Sequence, residues 1–236
     1  MVKIFPSRSS LTLSGTITRS NKLFKQGSGT LNLSGTQNYT GTTTVEAGAL
    51  SVNGSLAGSS SVTVQAGGIL KGSGTVGGAT TLQSGGTLAP GNSPGVETFS
   101  SGLNFESGSI FSWDLNTTLS GRGTAYDGAN VAGGLTGSDA IFKIVLAGGQ
   151  NFPDSFWDTN RAWTDIFIDG ASAPLSYQSI FSSFQYADET GTTISPTGNG
   201  TFAIAGSSLT WTVVPEPSSA LSGLLLIAAL IRRRRA

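Results

Sequence analysis

Apolar residues recur along the first half of the chain in two interleaved sets of short segments. One set opens on a small residue and puts an aliphatic at its third position: Ser9-Ser10-Leu11, Gly29-Thr30-Leu31, Gly48-Ala49-Leu50, Gly68-Ile69-Leu70, Gly86-Thr87-Leu88 and Gly108-Ser109-Ile110. The steps between these aliphatics are 20, 19, 20, 18 and 22 residues. The other set lies between them and alternates with period two: Thr43-Thr44-Val45, Ser61-Val62-Thr63-Val64, Thr80-Thr81-Leu82 and Leu103-Asn104-Phe105. Period-two alternation bounded by Gly, Asn and Ser is the pattern of short strands. A repeat near twenty residues is the length of one solenoid coil.

These elements predict an all-β chain: a right-handed parallel β-helix of about 20 residues per coil, with at least two strands in each coil. Stacked coils set each Leu or Val over its counterpart one turn earlier, building an apolar column, while alternate Thr and Ser face water. An antiparallel sandwich would also give turn signals every 8–12 residues or so. The shared small-residue entry and the fixed aliphatic position favour the solenoid, because hairpins need no such common register.

From Asn116 onward the glycine rhythm weakens and aromatics enter, among them Phe152, Phe156, Trp157, Trp163, Phe181 and Tyr186. Segments such as 140–146, 163–168, 201–204 and 208–213 still read as strands. The expected organisation is a β-helical repeat region over 9–116, a β-rich aromatic module over 117–213 that caps the open end of the solenoid, and a terminal segment over 214–236. That last segment holds two prolines, Pro215 and Pro217, around Glu216, and then a charge-free run from Ala220 to Ile231. The run contains Leu221, Leu224, Leu225, Leu226, Ile227, Leu230 and Ile231, and Arg232, Arg233, Arg234 and Arg235 follow it.

As a helix the run would be about 18 Å long against a hydrocarbon core of about 30 Å. The arginines extend its reach by resting their heads among lipid head groups and keep that end cytoplasmic. The expected placement is a short C-terminal membrane helix with the body outside. The prolines hold the chain extended ahead of it, open to a processing enzyme.

Composition narrows the chemistry. The chain has 236 residues with 34 Gly, no Cys and no His, and only 11% of its residues are charged. Thiol nucleophiles, disulfides and Cys-based metal sites are excluded, together with the commonest general base. Carboxylates alone can still cleave glycosides, but the repeat region offers only Glu46, Glu97, Glu106 and Asp114. No enzyme, no cofactor and no metal is expected. The whole chain is neutral; without the four terminal arginines, 9 basic residues face 13 acidic ones. That balance gives no reason for nucleic-acid binding. Asp154, Asp158, Asp165 and Asp169 lack the spacing of a calcium loop. Trp157 and Trp163 among them are candidates for carbohydrate contact, with a core role as the alternative.

Lys3, Arg8, Arg19, Lys22 and Lys25 make the start of the chain basic, but no apolar stretch of signal-peptide length follows. The export signal that an outward-facing tail requires is therefore expected upstream of Met1.

Two family resemblances follow from these motifs. Pro215-Glu216-Pro217, the apolar run and the arginine cluster, in that order at the C-terminus, resemble the PEP-CTERM sorting signal of bacterial envelope and exopolysaccharide-associated proteins. This resemblance implies recognition near the tripeptide by an exosortase, a membrane transpeptidase, with exopolysaccharide as a further candidate partner. The stretch from Lys25 to Val52, with Tyr39-Thr40-Gly41-Thr42-Thr43 and Ala47-Gly48-Ala49-Leu50, resembles the autotransporter-associated β-strand repeat. Gly86 to Gly95 is similar to the segment that closes such arrays. No membrane β-barrel translocator is found, so the repeat implies shape rather than self-secretion.

The expected role is that of a non-enzymatic, exported cell-envelope or extracellular-matrix protein, anchored by its C-terminus and then released. An adhesin or carbohydrate-binding surface module is the alternative, and a polysaccharide-acting enzyme is a more distant one.

Overall fold

The computed structural model describes residues 1–6, 9–18, 20–56, 58, 60–92, 94–117, 120–149, 152, 154–170, 177–196, 200–206 and 208–214. Three parallel sheets run side by side along a solenoid, and each complete coil contributes one strand to each sheet, the first and last coils being incomplete. Sheet A has 7 strands, from Val2–Ile4 through Leu23–Lys25, Thr43–Val45, Val62–Val64, Thr80–Leu82 and Leu103–Phe105 to Leu135–Gly137. Sheet B has 8: Ser10–Leu13, Thr30–Leu33, Gly48–Val52, Gly68–Gly72, Thr87–Pro90, Ile110–Leu115, Ala140–Leu146 and Phe181–Asp188. Sheet C has 6: Thr36–Gln37, Ser55–Leu56, Thr75–Val76, Val96–Phe99, Gly128–Val131 and Phe167–Asp169. The two strand sets read from the sequence are sheets B and A. The third has strands of only 2 residues in three of its coils, too short for an alternation to register.

The predicted column is present. Register aligns Leu11, Leu31, Leu50, Leu70 and Leu88 on successive strands of sheet B, and Leu31 through Leu88 are fully buried. Each contributes about 1.5–3 kcal/mol over an exposed position. The column then passes to Phe111 and Phe142, not to Ile110. Ile110 pairs with Thr87 and Ile141 and faces outward. A slip of one residue in a period-two element exchanges its faces, and in this coil the strand begins one position later relative to its glycine.

The turn from sheet B to sheet C sets the girth of each coil. In three early coils it is two residues, 34–35, 53–54 and 73–74, and the second is glycine. A Cβ on Gly54 would sit 2.2 Å from the Gly35 carbonyl oxygen, and one on Gly74 would sit 2.1 Å from that of Gly54. No side chain fits between coils stacked so closely. The same turn then lengthens to 91–95, 116–127 and 147–166, the interior widens, and aromatics replace aliphatics in the core. Phe105, Phe111, Phe142, Phe167 and Phe181 meet there at ring separations of 4.6–6.2 Å. The composition change near residue 116 therefore marks longer turns. The parallel ladder continues beyond it to Asp188.

Polar residues fill the narrow end. Lys25 points inward, fully buried, and its Nζ donates to the carbonyls of Gln26, Gly27 and Ala47 at 3.2, 2.7 and 2.8 Å. Gln37 receives the Ile17 amide and donates to the Gly15 carbonyl, substituting for a strand pair where the first coil has none in sheet C.

At the wide end a small antiparallel sheet, Arg161–Trp163, Ser208–Val213 and Gly200–Ala205, packs against the last strand of sheet B. Phe202 lies 6.4 Å from Phe184 and 5.8 Å from Tyr186. Residues 192–194 fold back onto the free edge of that strand through an Ala187–Thr193 bridge and the Ile194 amide.

Candidate functional site

The outer face of sheet B carries a groove of about 560 Å³. Its lining reaches from Thr30 and Ala49 through Ile69, Lys71 and Ala89 to Ser112, Lys143 and Asp188, touching seven strands. At about 4.8 Å per strand it runs for about 29 Å along the solenoid. Register puts Lys71, Ala89, Ser112 and Lys143 in one row, with lysines at the ends and small residues between. Asp114 stands two residues further along its strand, on the same face. The lengthened turns supply the side wall through Pro94, Asn116 and Gly148, together with Glu189. Glu189 accepts the Gly148 amide at 2.9 Å, and Asp188 is held by Thr190 and Thr192. These bonds keep the Asp188 carboxyl below its usual range.

Asn116 also lines a second, smaller cavity of about 220 Å³. This slot lies between the excursion 116–127 and the segment 154–163. The excursion leaves sheet B as a hairpin, with Asn116 N donating to Ala125 O and Leu115 bridged to Tyr126. Tyr126, Phe156, Arg161 and Trp163 line the slot, with Leu115 and Ala125 beneath and Ser120 at the rim. The Arg161 guanidinium lies 4.1 Å over the Phe156 ring and donates from Nε and Nη2 to the Phe156 carbonyl. Trp163 packs 5.6 Å from Trp113, which packs 5.7 Å from Tyr126.

Two carboxyl groups sit behind the groove. Glu97 faces inward between sheets, fully buried, with no hydrogen-bond partner for either oxygen among the described residues. Burial, and then the Asp127 carboxylate, push its pKa well above the usual range; Lys71 opposes them. Asp127 is also buried, and its two oxygens accept the amides of Gly95 and Asp114 at 2.7 and 2.9 Å, tying the excursion to the coil before it. Desolvation still pushes its pKa well upward. A buried carboxyl with such a shift is a means of stabilising a proton, but Glu97 is shut off from the groove.

Of the residues singled out in the sequence, Trp157 and Trp163 are in the core. Trp157 is fully buried; its carbonyl accepts Trp211 Nε1 at 2.9 Å and its ring packs against Trp211, Phe202 and Phe152. It presents no face to a sugar. Trp163 is 7% exposed and contributes only to the floor of the slot. The expected two-tryptophan platform is corrected accordingly: adjacent strands of a covering sheet turn their large aromatics onto the solenoid end. Tyr126, Phe156 and Arg161 were missed. The signal for them was the turn that swells just past Leu115, since functional side chains gather on long turns held by a rigid scaffold.

Asp154, Asp158, Asp165 and Asp169 do not converge; Asp169 accepts the Leu135 amide at 3.2 Å. Among the described residues no group of three or more acidic side chains could hold a metal ion. The sorting motif Pro215, Glu216 and Pro217, the apolar run with Leu221, Leu224, Leu225, Leu226, Ile227, Leu230 and Ile231, and Arg232, Arg233, Arg234 and Arg235 lie outside the described residues. Among the described residues no helix is long and apolar enough to cross a membrane. Val214, which leads into the motif, is 50% exposed.

Residues 23–52 match the family described as passenger-associated-transport-repeat. The chain carries an autotransporter-associated repeat. The match begins at the buried strand holding Lys25 and ends with Val52, taking in two strands each of sheets A and B. It therefore covers the unit in which Lys25 bonds the carbonyl of Ala47 one coil on. No curated protein matches the chain.

Proposed function

We propose that this chain is an exported structural protein of the bacterial cell envelope or extracellular matrix, without enzymatic activity, sorted and processed through its C-terminal segment. The observation that carries the reading is the pairing of a passenger-type repeat, built into a parallel solenoid, with a terminus that resembles the PEP-CTERM signal. A repeat of that type belongs to proteins displayed outside the cell. The solenoid supplies an extended body whose wide end is covered. The terminal segment supplies the membrane step: Pro215-Glu216-Pro217 read by an exosortase, the run 220–231 in the bilayer, and Arg232 to Arg235 on the cytoplasmic side.

The test is a reporter fused ahead of Val214 in a producing cell. The intact tail yields a membrane-bound species and then a released one, while replacing Pro215, Glu216 and Pro217 with alanine leaves only the bound form. Mature protein that still carries Arg232 to Arg235 by mass spectrometry disproves processing.

A further inference from the structure

We propose that the aromatic slot between residues 116–127 and 154–163 is a glycan subsite. It seats one pyranose ring of a neutral linear polysaccharide whose other units lie in the groove on sheet B. Tyr126 and Phe156 offer apolar ring surface to the C–H face of a sugar, and Trp163 closes the floor. The head of Arg161, already fixed over Phe156 by two bonds to its carbonyl, is a donor for a ring hydroxyl and is ordered before any ligand arrives.

The length of the groove selects a polymer. Asn116 lines both cavities, which places slot and groove side by side, and about 29 Å of groove suits a chain rather than a single sugar. Its chemistry selects hydroxyls. Ammonium groups at Lys71 and Lys143 donate, and carboxylates at Asp114 and Asp188 accept; a hydroxyl can do both. The two signs offset one another, which gives a polyanion no advantage. A peptide is the poorer occupant, because the floor is the face of a sheet whose backbone groups are already paired along the ladder. Strand addition needs a free edge.

The subsite is independent of the export reading, and the experiment uses purified full-length chain in mild detergent with no membrane machinery. A binding failure therefore leaves the sorting proposal standing. Affinity electrophoresis is run in gels containing xylan, mixed-linkage β-glucan or the polyanion alginate. The expected result is retardation by at least one neutral glycan and little by alginate. Phe156→Ala is expected to weaken retardation at least about tenfold, the order of one lost binding contact. Phe156 also packs 5.0 Å from Trp157, so Ser120→Trp serves as the second variant. Ser120 lines the slot at its rim and is exposed, and an indole there occupies the cavity without truncating the core. Ser120→Trp with an unchanged melting temperature and lost retardation supports the subsite. Retardation by alginate alone, by none of the glycans, or equally in wild type and Ser120→Trp overturns it.

Discussion

Replacing Glu97 with methionine should raise stability at neutral pH and flatten its pH dependence. The site allows the change: the register neighbour of Glu97 in the next coil is Ala129, and Gly74 of the preceding coil bonds the adjacent Thr98 amide, so a side chain of similar length has small residues on both sides. Both carboxyl oxygens are buried without partners, and each unsatisfied buried polar atom costs about 1–3 kcal/mol. Two such atoms make about 2–6 kcal/mol; because methionine must still find its packing, a net gain of about 1–3 kcal/mol is expected. For a chain of this size that is about 2–4 °C in Tm per kcal/mol. The folded carboxyl keeps its proton at pH values where the unfolded chain has lost it. The contribution of Glu97 to wild-type stability is therefore greatest below the ordinary glutamate value near 4.5 and falls as pH rises from there toward the raised folded value. The slope from this one group reaches about 1.4 kcal/mol per pH unit. Asp127, shifted the same way, adds a slope of the same sign that survives the substitution. Thermal melts of wild type, Glu97→Met and Glu97→Gln from pH 4.5 to 8 separate the contributions, since glutamine ends the titration but keeps unpaired polar atoms. If Glu97→Met melts below wild type at pH 7.5, or all three profiles run parallel, Glu97 is not the stressed group described.

Two further substitutions probe the coil geometry. Gly54→Ala forces a Cβ to 2.2 Å from the Gly35 carbonyl oxygen and should cost about 1–3 kcal/mol as overpacking between coils; urea unfolding with an unchanged m-value and wild-type stability would show that the coils can separate cheaply. Trp157→Ala should cost about 3–5 kcal/mol, because it empties a fully buried site beneath the covering sheet. Near-UV circular dichroism and a melt measure it, and a wild-type Tm would place Trp157 outside the core.

Repetition made the architecture legible. Leu31, Leu50, Leu70 and Leu88 recur at coil spacing after a small residue, and an aliphatic column in a stacked solenoid requires that spacing whatever the turns do. The same local signal misassigned Ile110, because a glycine marks where a turn ends and does not fix which residue starts the strand. The outer groove was hidden for another reason. Its row of Lys71, Ala89, Ser112 and Lys143 exists only once register aligns four strands, and these residues share no motif.

Sequence alone determined that the first half of the chain winds in coils of about twenty residues, that the chain lacks the thiol and imidazole chemistry of many active sites, and that residues 220–235 are an apolar run tipped by arginines. These are properties of residue order and composition. Tertiary structure decided that Trp157 is core, that Tyr126, Phe156, Arg161 and Trp163 meet around one slot, and that Glu97 is buried unpaired. Which groups meet across coils depends on turn length and strand register, and both are settled only when the coils stack.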